Sequence, residues 1–353
     1  PAQPAVAVTK PASHPEFYHA VSSAALMGVL RDPSLKKQYR EATQALLFIL
    51  TSLGGSKASD ELAQVLPLLA GAVDQADEPL RVFLFGQLDA LVALVGKGVR
   101  PHVDELLNLA RRYWRTSDKV TGACVTLVQT IAASIGDEVA HYLPLLLPLA
   151  VATFRGDASP GRENTARVLH ALEAMARGLD GFLYMVVPAL LDLVESQDTA
   201  LPLDVRKDAL LRLGSLCDRH DVSSLASLLV HRLVRVLCKE RELRIEAMAA
   251  LYGLAYQLGP DYLSLEPTVR AAMRRSGAKD AAYLLIVEAY ERLLLMLMQG
   301  DDVKADPSLT PAAVVTRARE GLRATQRLSS DDARAVPVVE VADAAAGEGG
   351  TTA

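Results

Sequence analysis

The stretch from Ile135 to Leu147, which reads IGDEVAHYLPLLL, decides the fold. Gly136 closes an apolar stretch, and glycine adopts the left-handed backbone beyond a helix C-terminus at little steric cost. Pro144 follows a polar step, and proline is tolerated in the opening turn of a helix because its missing N–H would be unpaired there. The stretch therefore predicts the turn of a helical hairpin. Pro148, one turn later, predicts a bend in the second helix.

Related blocks recur along the chain, each with a glycine, a polar step and a proline that opens a Leu-rich stretch. They are Leu53-Gly54 to Leu66-Pro67, Gly181 to Val187-Pro188 and Leu258-Gly259 to Glu266-Pro267, with a degenerate copy from Gly98 to Pro101 and the proline-free Val230-His231-Arg232 in the same slot. The markers recur roughly every 35 to 45 residues, the repeat length of HEAT and armadillo proteins. We therefore expect an all-α solenoid of this type, built from stacked antiparallel helix pairs.

Apolar side chains within the blocks have helical spacing. Between Leu203 and Arg219 they form one stripe at Ala209, Leu210, Leu213, Leu216 and Cys217. A second stripe consists of Ala247, Met248, Leu251, Leu254, Ala255 and Leu258. A single hairpin cannot bury such a stripe, so neighbouring hairpins must stack.

The pattern divides the chain into three parts. Residues 1–16 are rich in proline and predict a linker or the cut edge of a longer protein. Residues 17–300 predict the repeat array, with about six to seven helix pairs. Residues 301–353 predict a linker, a short helix from Ala312 to Leu328 and a low-complexity tail.

Composition narrows the function classes. Half of the residues are apolar and 5% are aromatic, and the net charge is −5 with both signs mixed along the chain. A nucleic-acid partner is therefore not expected. The longest strongly apolar run, Tyr142 to Phe154, is shorter than the roughly 20 residues of a membrane span, so we expect no transmembrane segment. Cys124, Cys217 and Cys238 lie in Leu-rich stretches and predict core thiols in a reducing compartment.

The connections between hairpins carry helix-start residues. They are Asp77-Glu78-Pro79, Ser117-Asp118, the loop from Asp157 to Arg162, and Leu203-Asp204. Asp and Ser at these positions predict N-caps. Asp104-Glu105 and Asp137-Glu138 likewise predict helix starts, where negative charge complements the helix dipole. Arg81, Arg162 and Arg206 follow the connections and predict bridges to adjacent repeats.

One motif resembles a catalytic sequence. Asp218-Arg219-His220 matches the opening of a kinase catalytic loop, but no metal-binding Asn follows it and the chain has no Asp-Phe-Gly. The motif predicts a polar turn between two helices. We therefore expect no catalytic residue and no enzyme activity in this chain.

Metal and phosphate sites are not expected either. Cys217, His220, His231 and Cys238 cluster in sequence, but a hairpin would separate the two sulfurs by roughly 20 Å, far beyond a zinc site. Gly54-Gly55-Ser56-Lys57 lacks the first glycine of a phosphate-binding loop and predicts an interhelix loop, and Gly96-Lys97-Gly98 lacks a third glycine. No metal and no cofactor are expected in this chain.

The remaining candidate site is a surface. Arg111 and Arg112 precede Tyr113 and Trp114, the only tryptophan of the chain. Arginine and tryptophan are favoured at protein-binding hot spots, so Arg111, Arg112 and Trp114 are candidate protein-contact residues. The alternative is that Trp114 closes the interface between two repeats.

Several strings resemble the N-terminal HEAT-repeat region of the TOR (target of rapamycin) Ser/Thr protein kinases, which belong to the PI3K-related kinases. They are Leu30 to Leu35 (LRDPSL), Phe48 to Gly54, Arg81 to Leu88 (RVFLFGQL), Val99 to Glu105, Tyr142-Leu143-Pro144, Asp157 to Arg162, Glu242-Leu243-Arg244 and Gln257-Leu258-Gly259. The resemblance covers most of the chain from Phe17 to about Tyr262, in the same order and with similar spacing. Generic HEAT repeats share periodicity but not such strings.

The resemblance implies a parent kinase that uses ATP and Mg²⁺ and controls growth in response to nutrients. It also implies Raptor-like or Rictor-like subunits as partners, a second TOR protomer, and a cytoplasmic location with association with endomembranes through the complex. The chain itself is then expected to be a scaffold segment that docks regulatory subunits. The alternative is a free-standing HEAT adaptor of the phosphatase-scaffold or importin kind.

Overall fold

The structure is a computed structural model that describes residues 17–196, 201–277 and 280–299, together with Ala313 and Thr316. The described residues form α-helices and short 3₁₀-helices and contain no β-strand. The helices are α1 (Phe17–Arg31), α2 (Tyr39–Leu53), α3 (Gly55–Gln75), α4 (Glu78–Val95), α5 (Val103–Tyr113), α6 (Asp118–Ile135), α7 (Leu143–Gly156), α8 (Glu163–Met175), α9 (Leu183–Val194), α10 (Leu203–Arg219), α11 (Ala226–Lys239), α12 (Arg244–Leu258), α13 (Glu266–Ser276) and α14 (Ala281–Gln299). The predicted all-α class is confirmed.

The chain divides into two compact units, residues 1–212 and 213–353. In the first unit α4 packs on α6 and α6 on α8, which makes one layer of helices, while α7 packs on α9 in a second layer. The two layers are joined within helix pairs such as α5 with α6 and α7 with α8. In the second unit α11 packs on both α12 and α13. Each unit is therefore built as stacked helix pairs.

Three of the turns within pairs share one backbone geometry. Gly96, Gly136 and Gly259 end α4, α6 and α12 with φ of 53°, 62° and 58°, and each opens a 3₁₀-helix that leads to the next α-helix. One apolar side chain is fully buried in each of these three turns and in the turns that follow α8 and α10: Val99, Val139, Leu179, Val222 and Tyr262. These five positions recur about every 40 residues, within the predicted range.

Hydrogen bonds between neighbouring repeats have the same separation. Tyr113 donates to Asp74, 39 residues away, and Trp114 donates to Thr153, also 39 residues away. In the second unit, Tyr290 donates to the carbonyl of Ala255, 35 residues away. Such recurring separations are what a stack of similar repeats produces.

Two proline predictions are wrong. Pro144 and Pro267 are each the second residue of a helix, as predicted, but Pro67 lies in the middle of α3 and Pro188 in the middle of α9. The positive φ of 84° at Gly54 turns the chain in a single residue, so α3 begins at Gly55. Gly55, Ser56 and Lys57 are therefore helical, and the interhelix loop predicted for them is reduced to Gly54.

The predicted caps and arginine bridges are present at several connections. Asp77 accepts from the Leu80 N–H at 3.3 Å and Ser117 from the Val120 N–H at 3.4 Å. Arg81 donates to the carbonyls of Val73 and Ala76 at the end of α3, and Arg206 donates twice to the carbonyl of Val194 at the end of α9. Each arginine thus satisfies C-terminal carbonyls of the preceding helix, which helices leave unpaired.

Two long helical stretches, Glu78–Tyr113 and Asp118–Gly156, pass a length and composition test for crossing a membrane, and the bent pair Pro160–Gly178 with Asp180–Val194 makes a third candidate. The sequence prediction considered only the shorter run Tyr142 to Phe154. Each long stretch is two α-helices joined by a 3₁₀-helix. Their apolar residues include Leu84, Leu88, Val125 and Val128, which are buried in the packing of α4 and α6.

A basic turn as the candidate protein-interaction surface

The candidate contact residues lie at the end of α5 and just beyond it. The α5 helix ends at Tyr113 and α6 begins at Asp118. Arg111 and Arg112 are exposed, but Trp114 is only 3% exposed. The Trp114 indole N–H donates to Thr153 Oγ1 of α7 at 2.9 Å. Trp114 thus joins two neighbouring repeats, while the arginines beside it face solvent.

The backbone around Trp114 is fixed by side-chain hydrogen bonds. The Thr121 hydroxyl lies in hydrogen-bond contact with the carbonyls of Trp114 and Ser117. The Ser117 hydroxyl caps α6. A connection held in this way presents its exposed side chains from a rigid base, which lowers the entropy cost of binding.

Arg112 is paired within the repeat array. Its guanidinium lies 2.9 Å and 3.1 Å from the two carboxylate oxygens of Asp74. Tyr113 donates to the same carboxylate at 2.6 Å, and the Arg81 guanidinium lies 4.6 Å from the centre of the Tyr113 ring. Burial and the bond to Asp74 raise the pKa of Tyr113. The charge of Arg112 is therefore offset by Asp74.

Four other cations define what we call the basic turn: Arg111, Arg115, Lys119 and Arg155. All four side chains are exposed. Arg111, Arg115 and Lys119 flank the connection between α5 and α6, and Arg155 lies in the last turn of α7. Within the described part of the chain, none of the four forms an ion pair. These four exposed cations are therefore not offset by acidic side chains of the described residues.

Sequence reasoning found Arg111 but missed Arg115, Lys119 and Arg155. Arg155 lies in the last turn of α7, 40 residues beyond Arg115. The repeat period was the signal that could have found it, because Arg155 follows Arg115 by about one repeat.

The loop from Asp157 to Arg162, which follows α7, is a connector with a buried carboxylate. Asp157 is 7% exposed. It accepts from the N–H and hydroxyl of Ser159 at 2.9 Å and 2.5 Å, and from the N–H and hydroxyl of Thr165 at 2.7 Å and 2.8 Å. Burial raises the pKa of Asp157, but these hydrogen bonds outweigh it and hold the pKa below the ordinary value.

The other sequence candidates lie in structural positions. Asp218 and Arg219 end α10, and His220 follows it with 5% of its surface exposed. Cys124 and Cys217 are buried, and Cys238 is half-buried with its thiol 3.8 Å from the carbonyl of Ala272. Burial raises the pKa of the Cys124 thiol. Among the described residues, no group of three or more His, Cys, Asp or Glu side chains has the proximity that a metal ion requires.

Comparison with known proteins identifies the relatives of the chain. Residues 2–96 match the family model of the serine/threonine-protein kinase mTOR domain. The chain is 36% identical over 268 residues to serine/threonine-protein kinase mTor of Drosophila melanogaster, a match that covers 76% of this chain and 11% of that protein. It is 32% identical over 262 residues to serine/threonine-protein kinase TOR of Arabidopsis thaliana, covering 71% and 10%.

The chain is homologous to a segment of the TOR kinases. The resemblance to TOR stated from the sequence strings is thereby confirmed. A further relative, tor1 of Schizosaccharomyces pombe, is 28% identical over 292 residues, covering 82% of this chain and 12% of that protein. The TOR-related chain therefore spans about a tenth of the length of the curated relatives it matches.

Among solved structures, the crystal structure of an engineered protein from a structural genomics consortium aligns with a TM-score of 0.46 and 16% identity. The alignment covers 90% of this chain and 87% of that one. The assignment of the fold rests on the helix pairs of the TOR-related chain itself.

Proposed function

We propose that this chain is a docking segment of a TOR kinase, a helical scaffold that holds a regulatory subunit of the Raptor-like or Rictor-like kind. The homology to a part of TOR supports this proposal, together with the rigid, exposed basic turn. Catalysis with ATP and Mg²⁺ would belong to another part of the parent kinase, in the cytoplasm and on endomembranes. A second TOR protomer would join the same assembly.

The basic turn carries the proposal because its four cations are exposed and form no ion pair among the described residues. Exposed cations of this kind attract an acidic segment of a partner and speed its association. The buried Trp114 would contribute by fixing the connection between α5 and α6, and Arg111 would contribute directly. Arg112 would contribute less, because Asp74 already offsets its charge.

The test is a calorimetric titration of the purified chain with a Raptor-like and, separately, a Rictor-like subunit. The variant Arg111→Glu/Arg155→Glu reverses two charges of the basic turn. Since exposed ion pairs contribute about 0.2–1 kcal/mol each, we expect affinity for the cognate subunit to fall by about tenfold. The loss should shrink at high salt.

The matched control is Arg31→Glu/Lys37→Glu, which reverses two exposed charges near the start of the described array. This variant should bind like the parent chain. Absence of binding by the parent chain to either subunit would overturn the docking role. Equal weakening by both variants would show that the basic turn is not the contact.

A further inference from the structure

A small cavity lies between α2, α3 and α4 in the first unit. Its volume is about 10 Å³, which is roughly the space that one water molecule needs. Most of its lining is apolar and consists of Leu46, Leu47, Leu50, Val65, Leu69 and Leu91. Two polar side chains, Thr43 of α2 and Gln87 of α4, complete the lining. The cavity is therefore of the right size for a water molecule and too small for an organic ligand.

The hydroxyl group of Thr43 differs from those of other threonines in the helices. Thr51, Thr126 and Thr153 each donate to the carbonyl four residues earlier, which is the ordinary local partner of a helical threonine. The Thr43 side chain is 2% exposed, and its Oγ1 has no hydrogen-bond partner among the described residues. Because an isolated buried hydroxyl is costly, Thr43 requires a partner within the cavity that it lines.

Gln87 supplies an acceptor on the neighbouring helix. Its Oε1 is buried and likewise has no hydrogen-bond partner in the described part of the chain. Since α2 packs on α4, Thr43 and Gln87 lie on adjacent helices around the same cavity. A buried water normally forms two to four hydrogen bonds to such groups, so these two are sufficient to hold one.

We propose that the cavity binds one ordered water molecule, which bridges the Thr43 hydroxyl and the Gln87 amide. The water donates to Gln87 Oε1 and pairs with Thr43 Oγ1 as donor or acceptor, because a hydroxyl serves in both ways. Thr43 and Gln87 are 44 residues apart in the sequence, about one repeat. The water thus joins neighbouring repeats, as the direct bond from Trp114 to Thr153 does elsewhere in the array.

Urea unfolding of Thr43→Val tests the proposal by the sign of its effect. Valine has nearly the shape of threonine but no hydroxyl, so it removes one of the two partners of the water. The urea midpoint should therefore fall below that of the parent chain. In a dry cavity the same change removes an unpaired buried hydroxyl, which does not destabilise the fold. A midpoint that is unchanged or higher would overturn the proposal.

A double-variant cycle with Gln87→Met tests whether the two side chains share one water. If they do, the second substitution lowers the urea midpoint less once the first is present, so the two losses are not additive. The matched control is Thr51→Val on the same helix, because the Thr51 hydroxyl donates to the Leu47 carbonyl and Thr51 does not line the cavity. Its loss should add to that of Gln87→Met. Additive losses for Thr43 and Gln87 would contradict a shared water.

A crystal structure of the full chain distinguishes a bridging water from a direct bond between the side chains. The expected result is density for one water within hydrogen-bond distance of Thr43 Oγ1 and Gln87 Oε1, and none in the Thr43→Val variant. A direct hydrogen bond between Thr43 and Gln87, or a cavity without density in the parent chain, would overturn the proposal.

Discussion

At the residue scale, Asp157 shows how a charged side chain is held inside a repeat connection. Three short Asp-x-Ser turns occur in the described chain, and in each the Asp carboxylate accepts from the Ser N–H at 2.9 Å: Asp32 with Ser34, Asp157 with Ser159, and Asp221 with Ser223. Asp32 and Asp221 are exposed, whereas Asp157 is buried and has two further donors from Thr165. Because Asp157 is buried, loss of its carboxylate would leave the N–H and hydroxyl groups of Ser159 and Thr165 without a hydrogen-bond acceptor.

Asp157→Asn should destabilise the chain by about 2–4 kcal/mol at neutral pH, measured by urea unfolding. The amide NH₂ of asparagine would replace one carboxylate oxygen, and it cannot accept the hydrogen bonds that this oxygen accepts in the parent chain. The matched substitution Asp221→Asn, in an exposed turn of the same sequence pattern, should have a much smaller effect. Equal losses in the two variants would show that burial of Asp157 is not the cause.

The difference in stability between the parent chain and Asp157→Asn should also depend on pH. Hydrogen bonds hold the pKa of Asp157 below its ordinary value, so its carboxylate contributes stability above the unfolded-state pKa of about 3.9. That contribution is lost as pH falls through the folded-state pKa. The stability gap between the parent and Asp157→Asn should therefore be full at pH 6 and narrow below about pH 4. A gap that widens on acidification would contradict this.

Individual residues were predictable where one local rule decides their place. Asp77 and Ser117 cap helices because short polar side chains reach the first free N–H groups, and this follows from sequence. The burial of Trp114 did not follow, since its partner Thr153 is a full repeat away. From the sequence, Trp114 was both a candidate contact residue and a candidate for closing the interface between two repeats.

At the element scale, the glycine turns set the path from one helix to the next. Gly136 has a φ of 62° and a ψ of −125°, which side chains with a Cβ rarely adopt. Gly86, in contrast, lies within α4, and a Cβ added there would meet no atom within 4 Å. Gly136 is therefore required for its backbone conformation, whereas neither conformation nor packing requires a glycine at Gly86.

Gly136→Ala should destabilise the chain by about 1–3 kcal/mol in urea unfolding, because alanine is strained at that backbone conformation. Gly86→Ala should stabilise it by roughly 0.5–1 kcal/mol, because alanine lowers the entropy cost of the helix. A neutral Gly136→Ala would contradict the turn geometry. Destabilisation by Gly86→Ala would indicate packing on that face of α4.

The buried face of a helix was predictable where a single stripe of apolar residues determines which side chains are buried. All five residues of the predicted α10 stripe are buried. The α12 stripe is buried except for Leu258, which is half-buried, but Ala250 and Tyr252 outside it are also buried. Around α12 the packing is close, since a Cβ at Gly253 would lie 3.1 Å from the Gly214 carbonyl oxygen. Such close packing depends on neighbouring helices, and the apolar pattern of one helix does not show where they lie.

The positions of Pro67 and Pro188 show that the order of glycine and proline along the chain does not by itself locate a helix boundary. Glycine followed by proline marks a helix boundary correctly at Pro144 and Pro267 but not at these two sites. The number of residues between glycine and proline decides whether the proline falls in the first turn. Only Gly54 separates α2 from α3, so Pro67 falls about three turns into its helix.

At the scale of the whole molecule, the repeat period links sequence, contacts and homology. Turns recur about every 40 residues, and hydrogen bonds join residues one repeat apart, such as Tyr113 with Asp74 and Trp114 with Thr153. The division of the array into residues 17–300 and flanking segments stays a prediction; residues 1–16 and most of 300–353 lie outside the described residues. Homology links this array to a segment of the TOR kinases.

Native-state hydrogen exchange of the full chain, followed by mass spectrometry, tests the stacked-pair account most directly. Isolated helices of this length are marginal and exchange quickly, so slow exchange requires stacking. The account predicts two protected helices in every repeat of about 40 residues, with fast exchange at the connections near Asp77, Arg115 and Ala158. Uniformly fast exchange, or protection without this period, would contradict it.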